Sequence, residues 1–282
     1  MDGFLLINKE TGWTSRDICN KVQSILHTKK VGHIGTLDPF ATGLLVVTVG
    51  KATKAGQFLE DLPKTYFARL ELGKKTSTGD LTGEVIEEKE VPQFSEDEII
   101  SIFNELRGEI KQIPPMTSAV HYKGQKLYKL AHQGIEVDRE ARTVNVHHIE
   151  LNSFTDKKIV FTCTVSKGTY IRTLGEQIAE KLGTIGYLTF LERLSIGHLT
   201  LEPSIKVNQV NEEALLPIRF VLDAMEKVIV DKTTENKAKS GVELVFDKAI
   251  NDKILLINEN DDVIAVYKRK NGNTFVSARG LF

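Results

Sequence analysis

The stretch from Lys30 to Val49 reads KVGHIGTLDPFATGLLVVTV and constrains this chain more than any other. A polar segment punctuated by Gly32, Gly35 and Gly43 runs into Leu44–Val49, an apolar, β-branched run of the length of a buried strand. Pro39 fixes φ directly after Asp38, so a lone carboxylate is held on a stiff turn at the edge of a core. An Asp-Pro pair in an average loop makes an Asx turn or a helix cap. The residues of this loop alone therefore give Asp38 no chemical role.

Around this stretch the periodicity alternates between strand and helix. Phe4–Ile7 predicts a strand, and Thr14 or Ser15 offers an N-cap for a helix with Ile18, Val22, Ile25 and Leu26 on one face. A helix is expected over 52–60, a half-buried strand over Tyr66–Leu72, and a mobile, turn-rich loop over Thr76–Gly83. Ser95 and Glu98 form a capping box for the next helix. Pro114 and Pro115 force an extended entry into Ser118–Tyr122, before a segment over Leu127–His132. Strands are expected over Thr143–Leu151 and Ile159–Val165, and a helix from Tyr170 to Leu182 stopped by Gly183. A pair of short strands follows over 188–199, and then a helix over Asn211–Met225. From about Lys227 the pattern changes to short strands and polar turns. The class is α+β in two domains, 1–226 and 227–282. The first is a mixed, largely antiparallel sheet with flanking helices, and the second is small and mostly β.

The formal net charge is only -1, so nucleic acid cannot be held by overall basicity and would need local patches. One such patch is Lys123, Lys126 and Lys129, in a run with no acid. Cys19 and Cys163 have neither metal nor redox spacing, which predicts reduced thiols in a cytoplasmic protein. No zinc site is implied. The apolar runs fall far short of the ~20 residues of a membrane helix, and no export signal opens the chain.

The segment GHIGTLDPFATGLL resembles the signature of the TruB family, the tRNA pseudouridine-55 synthases. The blocks LLINKETGWTS, KTYFARLELGKKTSTGDLTG, QIPPMTSAVHYKGQKLYKLAHQG and SKGTYIRTLGEQIAEKLG follow the family order, with departures at Glu10, Ile34, His121 and Glu192. The resemblance implies a pseudouridine synthase catalytic domain followed by a PUA-like RNA-binding domain. It implies Asp38 as the catalytic residue, Tyr66 in the active site, and His33 as the group that fills the stack left by a flipped uridine. Gly32, Thr36 and Tyr170 lie in these blocks, and with Leu191 beyond them they join His33 as expected substrate-binding residues. Lys9, Lys30 and the lysines at 123, 126 and 129 are expected phosphate contacts. The implied partner is the TΨC stem-loop of tRNA, bound by a monomer with no protein partner, no metal and no cofactor.

Pseudouridine formation breaks the bond from N1 of uracil to C1′, turns the base, and rejoins it through C5. No atom is gained or lost. A buried carboxylate stays ionised only with a cation beside it, and Arg172, in the first turn of a helix where the dipole favours anions, is the expected partner of Asp38. Attack at C6, attack at C1′ and a glycal-like species all remain open. Three rivals stand beside this, one of them a related synthase that modifies a different RNA. An RNA-binding protein or tRNA folding chaperone would use Asp38 only as a turn residue. A phosphate-loop enzyme would show P-loop or GxGxxG spacing, which this loop lacks.

Overall fold

The computed structural model describes residues 1–118, 120–131 and 133–282. The expected segments Ser118–Tyr122 and Leu127–His132 include Ala119 and His132, which lie outside the described residues.

Strand β1 (Gly3–Lys9) leads through a tight turn into helix α1 (Ser15–Ile25). Thr14 caps α1: its side chain accepts from the Asp17 amide while the Asp17 carboxylate accepts from the Thr14 amide. Strands β2 (Val31–Ile34) and β3 (Thr42–Val49) frame the Asp38 loop. The helix expected over 52–60 is two short pieces, α2 (Ala52–Ala55) and α3 (Gln57–Glu60). They meet at Gly56, against which the Ile34 side chain packs, 3.3 Å from where a Cβ would stand. Then come β4 (Lys64–Leu72), the hairpin β5 (Lys74–Thr76) with β6 (Val85–Glu88), and α4 (Glu96–Leu106), which carries the expected Ser95–Glu98 box. Strand β7 (Gly108–Gln112) was not foreseen. Hairpin β8 (His121–Tyr122) and β9 (Gln125–Lys126) leads into α5 (Leu127–Ala131). Strands β10 (Arg142–Phe154) and β11 (Lys158–Val165) precede α6 (Ile171–Lys181).

Residues 186–200 form one long strand, β12 (Gly186–Ile196), and a short return, β13 (Leu199–Thr200), where two short strands were expected. β12 pairs along the whole length of β4, which keeps it continuous. The helix expected over Asn211–Met225 does not form. A 3-10 turn at Glu212–Ala214 and α7 (Ile218–Val221) stand there instead. Pro217 has no N–H to continue a helix, and the Leu216 backbone exchanges both hydrogen bonds with Phe4 at 2.9 and 2.8 Å.

The main sheet runs β1-β3-β12-β4-β11-β10-β7, with β2 also on β3 and β13 on β12. Among the described residues its one parallel pairing is β12 with β3, so the mixed, largely antiparallel architecture is as expected. A second sheet, β14-β16-β17-β18-β15, is built from β14 (Glu226–Val230), β15 (Leu244–Val245), β16 (Lys253–Asn258), β17 (Val263–Asn271) and β18 (Thr274–Gly280). Helix α8 (Lys232–Lys239), capped by Asp231, interrupts it where only strands and turns were expected.

Both faces of β1 and β3 are buried, which explains their unbroken apolar sequence. Leu5, Ile7, Leu45 and Val47 join the core beneath α1, α4 and α6. Phe4, Leu6, Leu44 and Val46 face the other way, into a core shared with Leu255, Ile257, Val266 and Leu281 of the second sheet region. Each such side chain contributes about 1.5–3 kcal/mol on burial. The C-terminal segment is thus packed on the back of the strand that leads out of the Asp38 loop.

Candidate active site

The loop between β2 and β3 is pinned at several points. Ser15 Oγ donates to the Leu37 carbonyl at 3.2 Å and accepts from the Leu37 amide at 2.9 Å. The Asp38 carbonyl accepts from Ala41 N at 3.1 Å, closing a turn around Pro39. The side chains of Leu37, Phe40 and Ala41 are buried, so the loop is anchored on both sides of Asp38.

Lys9 lies beneath this turn and is fully buried. Its Nζ donates to the carbonyls of Trp13 at 2.8 Å, Glu10 at 3.0 Å and Pro39 at 3.3 Å. This corrects the expectation of a phosphate contact: an amine with no exposed surface, committed to three carbonyls, secures the loop from inside. Burial lowers its pKa to about 8, with Asp38 raising and Arg193 further lowering it.

Arg172 enters from the first turn of α6 and grips Asp38 with two nitrogens. Nε lies 2.9 Å from Oδ2, and Nη2 donates to Oδ1 at 3.3 Å. The same guanidinium reaches Asp80 Oδ2 at 3.5 Å, the Thr78 carbonyl at 2.8 Å, and the hydroxyl and carbonyl of Thr117. Asp80 is the member of this charge cluster that the sequence did not yield. It lies in the loop expected to be mobile, yet the structure holds that loop down. Asp80 is buried, and its Oδ1 accepts from Thr78 Oγ1, the Thr82 amide and Thr82 Oγ1. A signal was present in TSTGDLTG, where threonines two positions either side of an aspartate can satisfy a buried carboxylate.

Exposure separates the three charges. The side chains of Arg172 and Asp80 are 4% and 5% exposed, whereas that of Asp38 is 33% exposed. Asp38 alone therefore has an open face. Desolvation raises its pKa above the ordinary carboxylate value, opposed by Arg172, helped by Asp80, and opposed again by Lys9. The arrangement presents one oriented carboxylate to whatever fills the site.

The remaining expected residues divide. His33 and Thr36 are joined, Nε2 to Oγ1 at 3.1 Å, and His33 Nδ1 lies 3.5 Å from Cys19 Sγ. Burial, with the charges of Arg16, Arg193 and Lys126, lowers the His33 pKa and keeps its ring neutral near pH 7. Gly32 and His33 line a cavity of about 320 Å³ with Thr48, Gln57, Glu60 and Arg279. Tyr66 is half-buried on β4 beside Cys163 of β11 and Arg193 of β12. Leu191, two residues before Arg193, is buried, and its carbonyl accepts from Thr42 Oγ1 at 3.5 Å. Tyr170 is the N-cap of α6, where its amide donates to Gln112 Oε1 at 2.9 Å and its carbonyl accepts from Gln112 Nε2. Its backbone thus orients the helix that carries Arg172. Among the described residues no cluster of His, Cys, Asp and Glu could hold a metal ion, and no helix is long and apolar enough to cross a membrane.

Known proteins place this geometry. The family profile of the TruB family pseudouridylate synthase (N terminal domain) matches residues 23–171, which include Asp38, Tyr66 and Asp80. A tRNA pseudouridine synthase B of Alkaliphilus oremlandii (strain OhILAs) is 44% identical over 246 residues, covering 86% of this chain and 82% of that protein. The protein of the same name from Bacillus pumilus (strain SAFR-032) is 38% identical over 288 residues, covering 95% and 93%. Among solved structures, a chain of a Cbf5-Nop10-Gar1 complex superposes with a TM-score of 0.76 at 24% identity, covering 99% of this chain and 85% of that one. At that identity the likeness speaks for the fold alone. A profile match over more than half of the sequence, with relatives this similar along most of its length, fixes the assignment: the chain belongs to the TruB family of pseudouridylate synthases.

Proposed function

We propose that this protein isomerises uridine 55 in the TΨC loop of tRNA to pseudouridine, with Asp38 acting on the reacting nucleotide. The observation that carries the proposal is the pairing of Asp38 with Arg172 on a pinned turn, where the carboxylate is oriented yet keeps an open face. Two relatives that match most of this chain are named tRNA pseudouridine synthase B, which supports tRNA as the substrate class.

A uridine stacked inside a structured loop must leave the stack before a carboxylate can reach its sugar or base, and the neutral imidazole of His33 is the candidate to occupy the gap. Tyr66 supplies an aromatic face and a phenol beside the base or sugar. Lys30, Lys123, Lys126 and Lys129 are the phosphate candidates, since RNA is read through shape and backbone as well as unstacked bases. Residues 227–282 form a small RNA-binding domain, and the protein works as a cytoplasmic monomer.

The test is incubation with unmodified tRNA followed by site-resolved pseudouridine mapping, with Asp38→Asn alongside. Conversion at position 55 by the wild type alone is expected. Tight tRNA binding without conversion at any position overturns the enzymatic reading in favour of an RNA-binding protein or chaperone. Conversion at another position keeps the chemistry and overturns the target.

A further inference from the structure

Arg193 is one of the largest fully buried side chains of the molecule, at 1% exposure. None of the ion pairs among the described residues involves it. A guanidinium is costly to bury without a counter-charge, so its placement calls for a reason. Its hydrogen bonds supply one. Nε donates to the Leu44 carbonyl and Nη2 to the Gly35 carbonyl, both at 2.8 Å. Gly35 precedes Asp38 by three residues and Leu44 follows it by six, so one planar group ties together the two ends of the catalytic turn.

The backbone of Arg193 is as closely engaged. On one side it pairs with Tyr66 of β4, and on the other with Gly43 of β3. A Cβ at Gly43 (φ +96) would stand 2.4 Å from the Arg193 carbonyl oxygen. At Gly35 (φ +64) it would stand 3.1 Å from Arg193 Nη1. These two glycines are needed where they are, because Arg193 fills the space that a side chain would use.

We propose that Arg193 is a positioning residue of the catalytic loop, fastening the segments on both sides of Asp38 to the strand that pairs with Tyr66. It touches no reacting atom. Its action is to fix the distance and angle at which Asp38 meets the nucleotide, and it rests on the proposed role of Asp38. A second consequence concerns charge. Lys9 holds Pro39 from below, and the charged groups acting on it are Asp38 and Arg193. Lys9 donates best when protonated, so its hold weakens as pH rises through about 8. Removing the Arg193 cation raises that value.

The experiment measures single-turnover pseudouridine formation on unmodified tRNA, tRNA Kd, thermal melting, and amide hydrogen exchange for wild type, Arg193→Lys and Arg193→Met. Lysine keeps the charge but brings a single point donor in place of the separated Nε and Nη2, so it does not reproduce the bridge between the Leu44 and Gly35 carbonyls. Arg193→Lys should slow the chemical step by about 10–100-fold, the size of a misplacement of about 1 Å. Its Kd should stay within about threefold, and exchange at residues 35–44 should quicken. Arg193→Met should slow at least as much, and the alkaline limb of its rate profile should move to higher pH, while that of Arg193→Lys stays near the wild-type position. A wild-type rate in folded Arg193→Lys overturns the proposal. So does slowing in both variants that only follows the fraction unfolded at the assay temperature. Should Arg193→Met not fold, Arg193→Lys decides alone. A wild-type chain inactive on tRNA would instead sink the proposed function, and the exchange measurement would still judge Arg193.

Discussion

Arg172 Nε stands 2.9 Å from Asp38 Oδ2, and Nη1 of the same guanidinium stands 3.5 Å from Asp80 Oδ2. One cation therefore serves two carboxylates of unlike exposure. Asp80, with Thr78 and Thr117, fixes the guanidinium, and the guanidinium in turn orients the only carboxylate of the pair that solvent or substrate can reach.

Asp38→Asn should abolish turnover while tRNA affinity stays within about tenfold, or ~1.4 kcal/mol, because phosphate contacts dominate binding. Single-turnover assays with filter binding check both. Near-wild-type turnover would remove Asp38 from the chemistry.

Arg172→Met and Asp80→Asn should shift the acid limb of the rate profile in opposite directions. In the proposed role Asp38 acts when ionised, so the rate should climb as pH rises through its titration. Burial already raises that pKa, and Arg172 opposes the rise, so loss of Arg172 moves the limb to higher pH. Asp80 adds to the rise, and Asp80→Asn moves the limb to lower pH even as turnover falls from a loosened Arg172. Parallel shifts would contradict the assignment of these charges.

His33→Ala should slow intact tRNA far more than a short RNA whose loop is already open, since extrusion from a structured loop costs a few kcal/mol and an unpaired base costs much less. The measurement is the ratio of single-turnover rates on the two substrates. Equal slowing would return His33 to ordinary loop packing with Thr36 and Cys19.

Truncation after Ala224 removes Leu255, Ile257, Val266 and Leu281 from the core they share with Phe4, Leu6, Leu44 and Val46. At about 1.5–3 kcal/mol for each apolar side chain exposed, the remaining domain should melt lower and aggregate more readily. Melting curves and soluble yield test this. An unchanged melting temperature would show that the main sheet is self-sufficient.

Local patterns carried much of the fold. Thr14 with Asp17 and Ser95 with Glu98 cap helices as their spacing implies, and Gly183 follows the end of α6. The helix pattern over 211–225 misled because Leu216 pairs with Phe4 across the molecule, a partner that no local window contains. In the site, Arg172 facing Asp38 was legible from chemistry and family likeness together. Asp80 was hidden because threonines and glycines around an aspartate read as a surface turn. Lys9 and Arg193 were hidden because a charged residue within a strand reads as its wet side. Only the folded loop shows that backbone carbonyls wait there for a buried cation.

The two-sided burial of β3 limits how this enzyme can change. A strand with one wet face can absorb a one-residue insertion by bulging outward. In β3 a slip by one position would send Leu44 and Val46 into the wrong core and evict Leu45 and Val47 from theirs, disturbing both halves of the protein at once. Length variation on the β3 side of Asp38 is therefore shut out, and a lineage or a designer seeking a new RNA target has to leave the strand that feeds the turn untouched.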